Sequence, residues 1–420
     1  MPYQLGVTIR AAVAPGRVAD LCEWLAETAR TGLAEAPFDF ARLRGVHFAR
    51  LFLLPEAADI DGRSVPPSLV YMSDVDGPLR RHLDDLVDAA GEGLDRGFGH
   101  CAGFPQAGRR RSRRRWLRRH LVSAGAVYVN TVGRSLDQIR QEAALRAALE
   151  DYLDRPGHGW PADAPARVRA DIQSYVAGSA DLAWAMQPPS RPPMWWRLRE
   201  AAHLVLLPLA LLPVLLLALP VWAVLLRRSE RRDVPDTARP GAEHVRELAA
   251  YQDRAAQNPL SAVTVLKTGL LRRVTTRAVL MIIDYAVRHV YRHADLGGLK
   301  TIHFARWVLV DGRRRMLFAS NYDGSLESYM DDFIDRAASG LNAIFSNGQG
   351  YPRTRWLLLE GARYEQDFKY YLVRHQLPVP VWYSAYPELT AVNIENNARI
   401  RAGLRGDMTP AQAEVWLSLL

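Results

Sequence analysis

From Leu204 to Leu226 the chain reads LVLLPLALLPVLLLALPVWAVLL, 23 residues without a charge and with one polar group, the Trp222 indole. About 20 apolar residues are enough to cross a bilayer as a helix, so this run predicts a membrane segment. The flanking sequence has a different texture. Short β-branched runs, Leu5 to Ala11 and Ala262 to Lys267, each precede a stretch with helical spacing, Arg17 to Leu33 and Leu271 to His293. Two strand-like runs come next (Val46 to Leu54 with Ser68 to Ser73; Ile302 to Val310 with Met316 to Ser320). A helix follows (Leu79 to Phe98; Leu326 to Phe345), and then a last strand near Ala126 to Asn130 or Val379 to Ser384.

The two halves repeat each other. VHFAR at 46–50 matches IHFAR at 302–306, and the same offset lays Val7-Thr8-Ile9 on Val263-Thr264-Val265. SDVDG at 73–77 matches SNYDG at 320–324, and Asp84-Asp85, Phe98 and Arg119-His120 recur in order as Asp331-Asp332, Phe345 and Arg374-His375. Such ordered self-similarity predicts one unit built twice. The plan of each copy is βαββαβ, the ferredoxin-like unit, whose bare sheet face needs a cover. The fold class expected is therefore α+β. Two ferredoxin-like βαββαβ repeats pack as a pseudo-dimeric α+β barrel, with an apolar membrane segment inserted between them. In this the chain resembles the dimeric α+β-barrel superfamily. The organisation read from these patterns is repeat 1 over 1–150, a Pro-rich linker over 151–193, an anchor with a basic collar over 194–232, a linker over 233–257, repeat 2 over 258–404 and a tail over 405–420.

Charge refines the membrane reading. The net charge is +9, while the 49% hydrophobic and 24% charged fractions are ordinary for globular material and exclude a polytopic membrane protein. The excess is clustered Arg. RRSERR at 227–232, beginning with Arg227 and Arg228, follows the apolar run, and Trp195 and Trp196 precede it where an interfacial aromatic belt would sit. RRRSRRRWLRR holds eight Arg between 109 and 119, including Arg109, Arg110, Arg111, Arg113, Arg114 and Arg115. Next to an anchor, these residues point to anionic lipid. With no recognition helix or stacking motif, nucleic acid is not expected as a partner. The start, MPYQLGVTIR, lacks the regions of a signal peptide. A cytoplasmic start and a basic collar after the run place both repeats on the cytoplasmic side, and Pro208, Pro213 and Pro220 predict a bent segment that enters and leaves by one face. The plainer reading is a single Pro-kinked span. Two cysteines, Cys22 and Cys101, support neither a disulfide framework nor a cysteine zinc site.

Three polar positions recur in both copies: His47 and His303, Arg50 and Arg306, Asp76 and Asp323. The plainer readings are turn and helix-cap chemistry for the Asp-Gly pairs and satisfied core positions for the histidines. His303 and Arg306, three apart on a strand, face opposite ways unless a bulge intervenes. His289 and His293, four apart, are better read as a basic helix end than as metal ligands, so no metal site is expected. SNYDG and SDVDG also resemble the GxxDG motif of the dye-decolorising peroxidases, with Ser in place of the first Gly. That resemblance implies haem as cofactor, Asp323 and Arg306 as catalytic residues with Asn321 of the same motif, and His303 or His375 as the iron ligand. Two functions stay open. One is a membrane-anchored, peroxidase-like oxidoreductase acting on an apolar or membrane-borne substrate. The other is a non-catalytic membrane-associated module binding a lipid or a partner protein, or assembling with copies of itself.

Overall fold

The computed structural model describes residues 4–31, 39–58, 62, 64–106, 109–155, 164–188, 194–253, 255–291, 296 and 298–420. The first half gives β1 (Gln4–Ala12), α1 (Val18–Thr31), β2 (Val46–Leu54), the short pair β3 (Ala57–Ala58) and β4 (Ser64–Val65), β5 (Ser68–Asp76), α2 (Leu79–Ala89), α3 (Gly91–Phe98), α4 (Arg110–Arg119) and β6 (Ala124–Val129). Four helices intervene: α5 (Leu136–Leu153), α6 (Pro165–Gly178), α7 (Met194–Glu230) and α8 (Ala242–Ala249). The second half gives β7 (Gln257–Val265), α9 (Leu270–His289), β8 (Ile302–Val310), β9 (Arg315–Asp323), α10 (Leu326–Phe345), β10 (Thr354–Arg355), β11 (Leu359–Glu360), α11 (Glu365–His375), β12 (Val381–Ser384), α12 (Ala391–Gly403) and α13 (Pro410–Leu417).

The expected fold class is corrected in two respects. First, the strands fall into several small sheets, and neither half closes a four-stranded sheet of its own. The orders are β1-β5-β2-β12 and β6-β8-β9-β7, so each sheet takes its fourth strand from the other half of the chain. The exchange happens at corners. Residues 120–122 run beside β1, where Arg10 N donates to His120 O and Val122 N to Thr8 O, before the register shifts at Gly125 and β6 continues along β8. Leu377 N likewise donates to Ser261 O of β7 before β12 joins β2. Second, α7 turns by 71° between Pro213 and Leu216, and among the described residues no single helix is long and apolar enough to cross a membrane. Pro213 lies at the break, where its missing N–H and its ring weaken the helical ladder.

Alternation along each strand sorts the core. Ala49 and Leu51 of β2 pack toward Leu83, Leu86 and Leu94 of the first helical layer, and Ala305 and Trp307 of β8 toward Leu280, Phe333 and Leu372 of the second. The intervening residues face the other sheet: Phe52, Leu54, Val70 and Met72 meet Val308, Val310, Leu317 and Ala319. A separate helical cluster joins α5 and α6 to α12 and α13 through Leu145, Leu149, Ile172, Ile400 and Trp416.

Candidate functional site

The space between the two sheets holds the recurring polar residues, and backbone irregularities put them there. The register of β2 shifts between Val46 and Phe48, and that of β8 between Ile302 and Phe304. These bulges at His47 and His303 remove the objection of simple alternation, so Arg50 and Arg306 face the intersheet space and the histidines reach its rim. His47 Nε2 lies 3.1 Å from Asp76 Oδ1, and His303 Nε2 lies 2.7 Å from Asp323 Oδ1. The second oxygen of each Asp accepts from the first backbone N–H of a helix. Leu136 N of α5 donates to Asp76 at 2.8 Å, and Ala391 N of α12 donates to Asp323 at 2.7 Å. A carboxylate suits the positive end of a helix, so each Asp joins a strand end to a helix distant in sequence. The adjacent helix α10 is capped instead by Ser325, which accepts from Ser328 N.

Deeper in, four side chains form one buried chain. Arg306 donates to Val7 O, Ser73 O and Asp74 Oδ1; Asn321 Nδ2 donates to Asp74 Oδ2 at 2.9 Å; Arg50 donates to Asn321 Oδ1, Ser320 O, Leu260 O and Ser261 Oγ. Trp382 Nε1 also donates to Asn321 Oδ1, at 3.1 Å. Asp74 and Asn321 occupy equivalent places in SDVDG and SNYDG, and this one difference leaves two guanidinium groups facing one carboxylate. Burial, with the neighbouring Arg306 charge, pushes the Arg50 guanidinium down to about 9, against the opposing pull of Asp74. The carbonyl acceptors take the place of water around these cations.

The sequence-predicted catalytic set is therefore only partly assembled. Arg306 and Asn321 share the Asp74 network. Asp323 lies in a separate pair with His303, and Arg306 spends its hydrogen bonds on other groups. His375 does not join them. Its Nδ1 donates to Tyr371 O at the end of α11, its ring lies 4.2 Å from the Tyr371 ring, and burial lowers its pKa. The residues do not fit haem. His303 Nε2 is held by Asp323, and its ring packs 5.2 Å from Phe48 and 6.0 Å from Tyr386. Phe48, Phe304 and Tyr386 are buried and fill the rim of the intersheet space. His293, paired with His289 in the metal reading, lies outside the described residues.

The expected lipid-facing residues divide in the same way. In α4, Arg110 pairs with Asp88, Arg114 with Asp84 and Arg113 with Asp95, which ties that helix to α2 and α3. Arg109, Arg111 and Arg115 are exposed. In α7, Trp195 and Arg228 are exposed, Trp196 is half-buried, and Arg227 pairs with Glu230 at 3.1 Å. Around the 71° bend the apolar side chains face outward: Leu209, Leu212, Leu216, Leu217 and Val221 are all more than half exposed, Leu217 by 82%. Helix α9 extends this face with Val274, Met281 and Ile282. The two helices are joined by Trp222 Nε1, which donates to Thr275 Oγ1 at 2.8 Å, and by Tyr285 Oη, which donates to Leu204 O at 2.8 Å. Leu204 O is the carbonyl that Pro208, lacking an N–H, leaves without its helical donor.

Sequence reading passed over Asp74, Trp382, Tyr386 and Arg272. Asp74 had a signal, as the mismatch inside a repeated motif. The other three take their meaning from partners 39 or more residues away. Compared with known proteins, the chain matches no family model, no curated protein and no solved structure.

Proposed function

We propose that the protein is a membrane-associated module. In this reading it lays the elbow of α7, with the exposed face of α9, into the surface of an anionic bilayer and holds its two-sheet body outside. The observation that carries the reading is the exposed apolar face on either side of the bend, followed directly by exposed Arg228, Arg231 and Arg232. An exposed apolar patch of this kind marks an interaction surface. Each arm is short: the ten residues Leu204–Pro213 and the eleven residues Leu216–Leu226 rise roughly 15 Å apiece, half of the hydrocarbon thickness. That length suits an elbow resting at the headgroup boundary, with both arms returning to one side. The basic collar favours the negatively charged cytoplasmic leaflet. No reaction is assigned, because the recurring His, Arg and Asp side chains are engaged with one another, with backbone and with helix ends.

The test is co-flotation of the full chain with vesicles of phosphatidylcholine, with and without a third of phosphatidylglycerol. The expected result is flotation with both, stronger with the anionic lipid at low salt. Leu217→Arg, on an exposed side chain, should cut binding by about tenfold or more, since burying a leucine contributes about 2 kcal/mol. A wild-type chain that stays with the unbound fraction in both cases would sink the reading.

A further inference from the structure

Beneath the elbow, where α7 ends and α9 begins, lies a cleft of about 570 Å³. Its lining includes Arg228, Arg232, Lys267 and Arg272 against a single carboxylate, Asp233. Asp233 Oδ2 accepts from Lys267 Nζ at 2.7 Å and from Arg272 Nη2 at 2.6 Å, so one negative oxygen serves two cations. Arg272 is 2% exposed, its Nε donates to Ser229 Oγ, and its Nη1 has no hydrogen-bond partner among the described residues. A buried guanidinium with an unmet donor is costly to leave in that state.

The same wall carries the start of α9. Leu271 and Arg272 belong to its first turn and line the cleft, while the preceding Gly269, at φ 92°, supplies no side-chain cap and the first turn has no acidic residue. The N-terminus of a 20-residue helix presents free N–H groups and a partial positive charge there. Four cations, one carboxylate, an uncapped helix start and an unmet buried donor call for one kind of ligand: a compact oxyanion carrying more than one acceptor. Exposed Leu225, on the cleft wall, and Leu270, 79% exposed at the head of α9, give the site an apolar border.

We infer that this cleft is a phosphate site, taking the phosphate of an anionic lipid headgroup or of a soluble phosphate ester. The cleft can bind phosphate without a membrane; only the choice of lipid as the phosphate source rests on the membrane reading above. The phosphate oxygens would accept from Arg272 Nη1, from the rim guanidinium groups of Arg228 and Arg232, and from the first N–H groups of α9.

The experiment is calorimetric titration of the full chain with inorganic phosphate in a phosphate-free buffer, followed by flotation with phosphatidylcholine vesicles with and without phosphatidic acid. Saturable binding at one site is expected, weakened about tenfold by Arg272→Gln, as for loss of one charge-assisted hydrogen bond. Arg232→Gln, on an exposed side chain whose change leaves the core untouched, should weaken it similarly and keeps the test valid if Arg272→Gln fails to fold. No saturable phosphate binding by the wild-type chain, or unchanged affinity in Arg232→Gln and a folded Arg272→Gln, overturns the site. If phosphate binds and both variants lose their preference for phosphatidic acid while still floating with phosphatidylcholine, the source is lipid. If phosphate binds with the same sensitivity but the wild-type chain ignores every vesicle, the site stands for a soluble ester and the membrane reading falls.

Discussion

Asp74 and Asn321 show how much one atom type decides in a dry interior. Their shared network leaves two buried guanidinium groups with one carboxylate, and the remaining charge is carried by backbone carbonyls, Ser261 and the Asn321 amide oxygen. At His82 the pKa shift comes from burial alone. Its Nε2 lies 3.1 Å from Tyr71 Oη and 3.0 Å from Ser73 Oγ, its Nδ1 has no hydrogen-bond partner among the described residues, and burial pushes its pKa down to about 3. The folded state therefore keeps this ring neutral while the unfolded chain protonates it near 6.5. Its contribution to stability is intact above pH 6.5. As the pH falls from 6.5 toward 3 it is lost, at up to roughly 1.4 kcal/mol per unit. Urea denaturation of the wild-type chain and of His82→Gln between pH 7.5 and 4.5 checks this. The variant should be less stable at pH 7.5, and its deficit should shrink by about 2 kcal/mol or more at pH 4.5. A deficit independent of pH would show that His82 does not titrate between the two states.

At the scale of elements, α7 and α9 stand as a pair because each supplies what the other lacks. Pro208 strands the carbonyl of Leu204, and Tyr285 of α9 meets it. Tyr285→Phe should cost about 0.5–1.5 kcal/mol and raise hydrogen exchange along the first arm of α7. In a Pro208→Ala background the helix regains its own donor, so the same Tyr285→Phe change should cost less than half as much; equal costs in both backgrounds would break the link between them. The proline positions and the apolar run were legible in the sequence, and so was a bend. The partner of the freed carbonyl was not, since 81 residues separate Tyr285 from Leu204. The bulges at His47 and His303 were equally hidden, because HFAR reads as an ordinary strand and the register shift exists only relative to β5 and β9.

For the molecule as a whole, the exchange of β6 and β12 makes the halves interdependent. A fragment ending at residue 155 contains β6 but lacks β8, the strand it pairs with, and its β2 lacks β12. Such a fragment should unfold without a cooperative transition. Co-expressed with a fragment beginning at residue 194, it should co-purify and regain one. Cooperative folding of the first fragment alone would contradict this interdependence. The peroxidase-like constellation fails at the same scale. The repeated motifs did place His303 beside Asp323 and Arg306 beside Asn321's network, but as two separate groups, with the buried rings of Phe48, Phe304 and Tyr386 packed at the rim.

The sequence by itself determined what local chemistry can encode: the strands and helices on either side of the apolar run, the prolines that bend α7, the apolar run itself and the basic collar. Tertiary structure decided which strand completes which sheet, which helix each Asp meets, and that Arg272, Lys267 and the start of α9 share one cleft. The physical reason is the range of the interactions. Periodicity, capping and proline chemistry act within a few residues, whereas edge pairing, buried-charge compensation and cleft formation depend on partners tens to hundreds of residues away, and only packing brings those together.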